Sequence, residues 1–258
     1  MLACAGGCGA GQGEGGASPP SASSGTIAEP AADGVAVSRS LRFGQVNAAP
    51  YGSFAENGQI KAFDKAIRSA TKIEGILDVA QPDYDVVVTE DGKRKEIHLW
   101  LDARSKRGMY AYVSDTGTGY TLTEASTRQV YDLIWGLKYG PDQAEANGDL
   151  VNAFGLARNR DQWETFIANV EAGVQDELQI VRYTFEGDPV FDNLSFDGTT
   201  IMHRYDSTHD AFGSPGKTVD FCRSIEGKKK DDGTEYVLSS CGEGSAEAGR
   251  FSLYLDQR

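Results

Sequence analysis

The stretch HRYDSTHD places His203, Asp206, His209 and Asp210 within eight residues. Imidazole nitrogens and carboxylate oxygens are ordinary ligands of divalent metals, so one reading is a cation site. Spacing favours another. His203 alternates with Ile201 and Tyr205, which puts the three on one strand face, turned to a core or to a neighbouring strand. Asp206 and Ser207 suit turn initiation, and His209 and Asp210 lie beyond the strand. The metal reading is carried as the alternative, and no cofactor is expected.

The next segment, AFGSPGKT from Ala211 to Thr218, has the form of a phosphate-binding loop. That chemistry needs a buried strand before the loop and a helix after it, whose N–H groups surround phosphate. Polar DSTHD precedes it, and TVDFCRSIE alternates like a strand after it. No nucleotide is expected. No G-x-S-x-G elbow occurs, and three scattered histidines define no base for a nucleophile, so no catalytic residue is assigned.

A third set is aromatic. EIHLWLD alternates Ile97, Leu99 and Leu101 with His98 and Trp100, and MYAYVS alternates Met109, Ala111 and Val113 with Tyr110 and Tyr112. If the two runs pair, Trp100, Tyr110 and Tyr112 form an aromatic face opposite an aliphatic one, which suits a flat ligand, a peptide or a glycan. A helix lying over it is the competing reading.

The cysteines form two unlike pairs, Cys4 and Cys8 near the start, Cys222 and Cys241 near the end. Without a CxxC pair, a structural zinc site of the usual spacing is not expected. Cys222 and Cys241 face each other across a hairpin if its turn is centred between Asp231 and Asp232, as a KDDG loop allows, whereas a two-residue Asp232-Gly233 turn would set Cys222 opposite Glu243. In an oxidising compartment they form a disulfide. Ala5-Gly6-Gly7-Cys8 is similar to a bacterial lipobox, with Ala5 where leucine is usual. Cys8 is the expected lipid site and Cys4 the alternative. An apolar export region is missing upstream, and an earlier start would supply it. From Gly9 to Ser38 the chain is mostly Gly, Ala, Ser and Pro with scattered acids. Such a segment does not bury enough surface to fold, and as a coil it reaches ~30 Å. The expected location is the outer face of the cell membrane, held there by membrane lipid.

The 258 residues carry a formal charge of −13, with 40% hydrophobic and 24% charged side chains. A core is therefore available. The negative charge argues against nucleic acid, whose phosphates it repels.

Which elements position these residues? After the tether (1–38), a first unit spans 39–140. A helix over 57–70 has Ile60, Phe63, Ile67 and Ala70 on one face and Asn57 as cap. Asp91-Gly92 between alternating runs marks a hairpin. Thr121-x-x-Glu124 reads as a capping box before a helix with Val130, Leu133, Ile134 and Leu137 on one face. YGPDQAEANGD, at 139–149, reads as the boundary. A second unit spans 149–258. Asp161 caps a helix with Trp163, Phe166, Ile167 and Val170 on one face, and Gly173 ends it. Strands follow at 178–186, 190–196, 199–206, 217–226, 234–241 and 251–255. The fold class is α+β, two small domains, each an antiparallel sheet against one or two helices.

The runs NGDLVNAFG, ETFIANVEAG, LQIVRYTFEGDPVFDNLSFDG, YDSTHDAFG and FCRSIE…TEYVLSSC together resemble a domain of unknown function, the one numbered four-three-six-two, of Bacillus-type Gram-positive lipoproteins. The likeness covers roughly 149–241. His209 stands where that pattern has a basic residue. The first unit is more loosely similar to the YhfM-like lipoprotein domain. The resemblance implies a lipid-anchored location and the fold, with no catalytic residue. The leading expectation is a binding or interaction module of the cell envelope, with an envelope ligand or protein as partner. A metal-dependent protein and a structural spacer are the alternatives.

Overall fold

Asp91 and Gly92 both have positive φ, 50° and 69°, as a two-residue hairpin turn requires. The runs on either side pair antiparallel, from Tyr84↔Leu99 to Glu90↔Lys93. The structure is a computed structural model and describes residues 33–102, 106–153, 156–242 and 250–256. Cys4, Cys8 and residues 1–32 of the expected tether lie outside these; its end is corrected, because Gly34–Arg39 is a buried strand of the first unit.

The first unit runs β1 (Gly34–Arg39), β2 (Pro50–Phe54), α1 (Asn57–Arg68), β3 (Thr71–Lys72), β4 (Tyr84–Glu90), β5 (Lys93–Asp102), β6 (Arg107–Tyr112), β7 (Asp115–Thr121) and α2 (Glu124–Trp135). Its strands form one sheet in the order β2-β1-β4-β5-β6-β7-β3. Alternation gives each strand a core face: Val35 and Val37, Val86 and Val88, Ile97, Leu99 and Leu101. Helix periodicity supplies the cover, Ile60, Phe63 and Ile67 from α1 and Val130 and Ile134 from α2. Each such side chain, fully buried, is worth about 1.5–3 kcal/mol. The other face is closed by the chain after β1. Phe43 stacks on His98 at 5.1 Å, Gly44 N–H donates to His98 Nε2, and Asn47 N–H donates to Asp85. His98 Nε2 is thus the acceptor, and Nδ1–H donates to Asp85 at 2.7 Å.

Two caps of the first unit differ from expectation. Helix α1 has Glu56, not Asn57, at its N-cap, without a side-chain bond. Helix α2 is capped by Thr123, whose hydroxyl accepts from Ser126 N–H; Thr121 ends β7 and Glu124 is the first helical residue.

The boundary segment is an ordered joint. It holds α3 (Pro141–Ala146), whose Ala144 is fully buried. Then come β8 (Leu150–Ala153), β9 (Leu156–Arg158), α4 (Arg160–Ala172), β10 (Asp176–Tyr183), β11 (Pro189–Phe196), β12 (Ile201–Asp206), β13 (Lys217–Cys222), β14 (Ser224–Lys229), β15 (Gly233–Ser239) and β16 (Ser252–Asp256). Helix α4 starts at Asn159 in the left-handed region, with no side-chain cap bond; Asp161 sits inside its first turn. Gly173, at φ 69°, ends it as expected.

The α+β class holds, with two differences from the simple plan. A second sheet, β13-β12-β11-β10-β8-β9, contains a parallel pair, β8 with β10. The expected 217–226 strand is two, and β14-β15-β16 form a third sheet. Trp163 and Phe166 of α4 pack between the second and third sheets with Ile180, Leu194 and Leu253. Cys222 and Cys241 are disulfide-bonded where the chain passes from β13 to β14. Their pairing continues the ladder Ser224↔Ser239, so the turn is centred where the sequence places it.

Val181 and Phe191, on the second sheet's other face, belong to the first unit's core. The two units therefore share one apolar interior. Beside it runs a buried polar chain: Asn193 donates to Gln179, Gln179 donates to Asp149, and Tyr139 donates a short bond to Asp149.

Candidate functional site

A cleft of about 1420 Å³ opens where the second sheet meets the first unit. Its apolar wall comes from β5 and β6 (Trp100, Met109), from α2 (Tyr131, Trp135) and from β12 and β13 (Met202, Phe221). Alternation largely decides which residues of β12 reach it, although Tyr205 near the strand's end lines it too. Ile201 and His203 turn to the core under α4, whereas Met202, Arg204 and Asp206 turn the other way.

The floor is charged. Arg39 donates to Asp206 at 2.6 Å across 167 residues of sequence, and both side chains are buried. Burial works against the Arg39 charge, but Asp206 beside it more than compensates and holds the guanidinium above its ordinary value. Burial pushes the Asp206 carboxyl up; Arg39 and then Lys217 outweigh that and hold it well below the usual range. The Arg39 guanidinium carbon also lies 4.5 Å from the Phe191 ring centre and 5.2 Å from that of Tyr84. Arg204 donates to the carbonyls of Ser40, at 2.6 Å, and Pro82, at 3.2 Å. Burial and then the nearby Arg39 charge lower its pKa to about 10.

His209 forms one wall. Trp135 stacks on it at 5.1 Å. Tyr51 hydroxyl meets Nδ1 at 3.1 Å and Tyr84 hydroxyl meets Nε2 at 2.7 Å. A neutral imidazole has one donor and one acceptor, so one tyrosine donates to the ring and the other accepts from it. Burial and then Arg39 push His209 down to about 4, and burial raises both tyrosines. Beyond His209, Trp135 and Ala211 lies a smaller cavity of about 320 Å³, closed by Leu137 and Asp188.

The structure separates the cation candidates. His203 is buried in the other core and pairs with Asp192 at 2.8 Å. Asp206 binds Arg39, His209 sits between the tyrosines, and Asp210 accepts N–H bonds from Phe212 and Gly213. A Cβ at Gly213 would come within 2.2 Å of that carboxylate, which would have to turn aside. Among the described residues no three metal-type ligands converge. The loop Ala211–Thr218 leads into strand β13, and no helix follows it.

The aromatic set also divides. The ladder pairs Leu99↔Tyr110 and Trp100↔Met109, so Trp100 lies on the face opposite Tyr110 and Tyr112. The shared face expected from alternation is corrected by this register. Tyr110 is buried and donates to the Ile67 carbonyl of α1, and Tyr112 packs against the same core. Trp100 lines the cleft, with its Nε1–H on the Ala80 carbonyl. The residues that sequence reasoning missed are Arg39, Tyr51, Tyr84, Trp135 and Arg204. Only Arg39 gave a signal, as a charge at the end of the apolar run GVAVS.

Both halves match known family models. Residues 147–237 match DUF4362, a domain of unknown function, and residues 47–138 match the YhfM protein family. The matches follow the two units. No curated protein matches the chain. No solved structure matches it either. Among the described residues no helix is long and apolar enough to cross a membrane.

Proposed function

We propose that this protein is a binding module of the cell envelope that holds a ligand in the cleft between its two units, without catalysing a reaction on it. The supporting observation is the cleft itself: about 1420 Å³, apolar-walled, with buried charge at its floor. Binding sites commonly combine these features at the junction of two units. The lipid anchor at Cys8, with Cys4 as the alternative, and the outer membrane face as location complete the proposal. They rest on the lipobox-like tail and the Gly/Ser/Pro/Ala tether, and the Cys222–Cys241 disulfide agrees with an oxidising compartment.

The cleft is tested with Nile red, a neutral dye whose emission shifts to the blue in apolar surroundings. Saturable binding at one dye per chain, lost in Phe221→Glu, is expected; Phe221 is exposed, so this variant leaves the cores intact. Unsaturable binding, or binding unchanged in the variant, refutes the cleft reading and favours a spacer. Mass spectrometry of the native N-terminal peptide tests the anchor: a diacylglyceryl adduct on Cys8 is expected, and an unmodified tail rejects it.

A further inference from the structure

Ion pairing within the cleft singles out one side chain. Arg39 has Asp206, and Lys217 has Asp83 at 2.5 Å. Asp210 is taken up by the N–H groups of its own loop. Asp102 and Arg107 lie opposite each other in the β5–β6 ladder, exposed at the rim. That leaves Arg204. Among the described residues no carboxylate lies within ion-pair distance of it, and its two bonds go to backbone carbonyls. Its Nε is buried without a hydrogen-bond partner, and so are Nε and Nη1 of Arg39. Arg39 is itself only 6% exposed. Both tyrosines and His209 on this floor are held neutral, so they supply no countercharge.

Cations and carboxylates around the cleft are equal in number, but Arg204 has no ion pair, and donors of two guanidiniums are unpaired. A buried charge without a partner is costly, and a planar oxyanion fits a guanidinium fork. The walls of Trp100, Tyr131, Met109 and Phe221 ask for an apolar body behind that anion.

We infer that the cleft takes a monoanion with an apolar body, a carboxylic acid whose head meets Arg204 and Arg39 and whose body lies along the aromatic and methionine wall. This rests on the cleft reading proposed above and adds the class of ligand. Two bodies share the chemistry, an acyl chain and a flat ring system.

Isothermal titration calorimetry on the folded chain compares four probes: decanoate, decanol, 2-naphthoate and 2-naphthalenemethanol. At least one carboxylate is expected to bind about tenfold tighter than its own alcohol, a difference that weakens with added salt. Which pair shows it identifies the body. The preference is expected to vanish in Arg204→Met. Since that change also releases two backbone carbonyls, Arg204→Gln serves as a second variant: it removes the charge but keeps an amide N–H donor for a carbonyl, and it too is expected to abolish the preference. Alcohols binding as tightly as acids overturn the anion inference and leave the cleft standing. If none of the four binds while Nile red does, the ligand class is wrong. If Nile red fails too, the cleft reading falls with it.

Discussion

His209 and Asp149 are buried ionisable groups whose pKa values move in opposite senses. His209 is held at about 4 against an ordinary 6.5, so folding favours its neutral form. Its contribution is fully present above pH 6.5 and is lost as pH falls toward 4. At 1.36 kcal/mol per unit, that loss amounts to about 3 kcal/mol. Asp149 is raised by burial to about 6 from 3.8, although Tyr139, Gln179 and the more distant Arg39 charge all pull it down. Its contribution is fully present below 3.8 and is lost as pH rises to about 6, again by about 3 kcal/mol. Across pH 4 to 6 the two slopes oppose and largely cancel. Single variants uncover them. In Asp149→Asn the His209 slope remains, so stability falls with acid more steeply than in the parent. In His209→Gln the Asp149 slope remains, so stability relative to the parent falls as pH rises. Urea unfolding followed by tryptophan fluorescence at half-unit intervals measures both, and subtraction of the parent curve removes the carboxylates common to all three proteins. Two difference curves of the same sign, or two flat ones, refute the reasoning.

Other outcomes follow from the same geometry. Asp206→Asn leaves Arg39 charged and buried, and is expected to cost about 3–5 kcal/mol in urea unfolding, while Arg39→Met with Asp206→Asn costs much less than the sum of the single changes. An additive cycle contradicts the pair. Replacing Cys222 and Cys241 by serine opens a loop of sequence separation 19, and about 3 kcal/mol of stability is expected to go with it. A midpoint unchanged from the oxidised parent refutes that role. Arg204→Met removes the cleft guanidinium that has no ion-pair partner and is expected to abolish the salt-sensitive preference of the cleft for acids over alcohols, which calorimetry measures.

Much of the scaffold was legible from local chemistry. The Asp91-Gly92 turn needs positive φ at both residues, and few other sequences supply it so readily. The Trp163, Phe166 stripe follows helical spacing onto a core, and the paired cysteines obey hairpin arithmetic across KDDG. Capping was less legible, because Thr121 and Thr123 are chemically alike and only the backbone decides which one turns into the helix. The site was the least legible part. Alternation tells which residues share a face within one strand; register between strands tells which faces coincide. One step of register sends Trp100 to the cleft and Tyr110 under α1. Arg39 and Asp206 stand 167 residues apart, and no local pattern links them. His209 carried a metal-like signature, yet its environment of two hydroxyls and an indole comes from three separate elements.

Each family match leaves out one strand of a sheet. Strand β1, which stands between β2 and β4, precedes residue 47, and β16, which closes the third sheet, follows residue 237. A fragment cut to residues 47–138 would expose the ladder edges of β2 and β4 that β1 covers, and one cut to 147–237 would lose the Leu253 and Leu255 side chains beneath α4. Open strand edges and bared apolar faces are where chains aggregate and where proteases enter. The sensible experimental unit is therefore the whole body from residue 33 onward, handled as one piece.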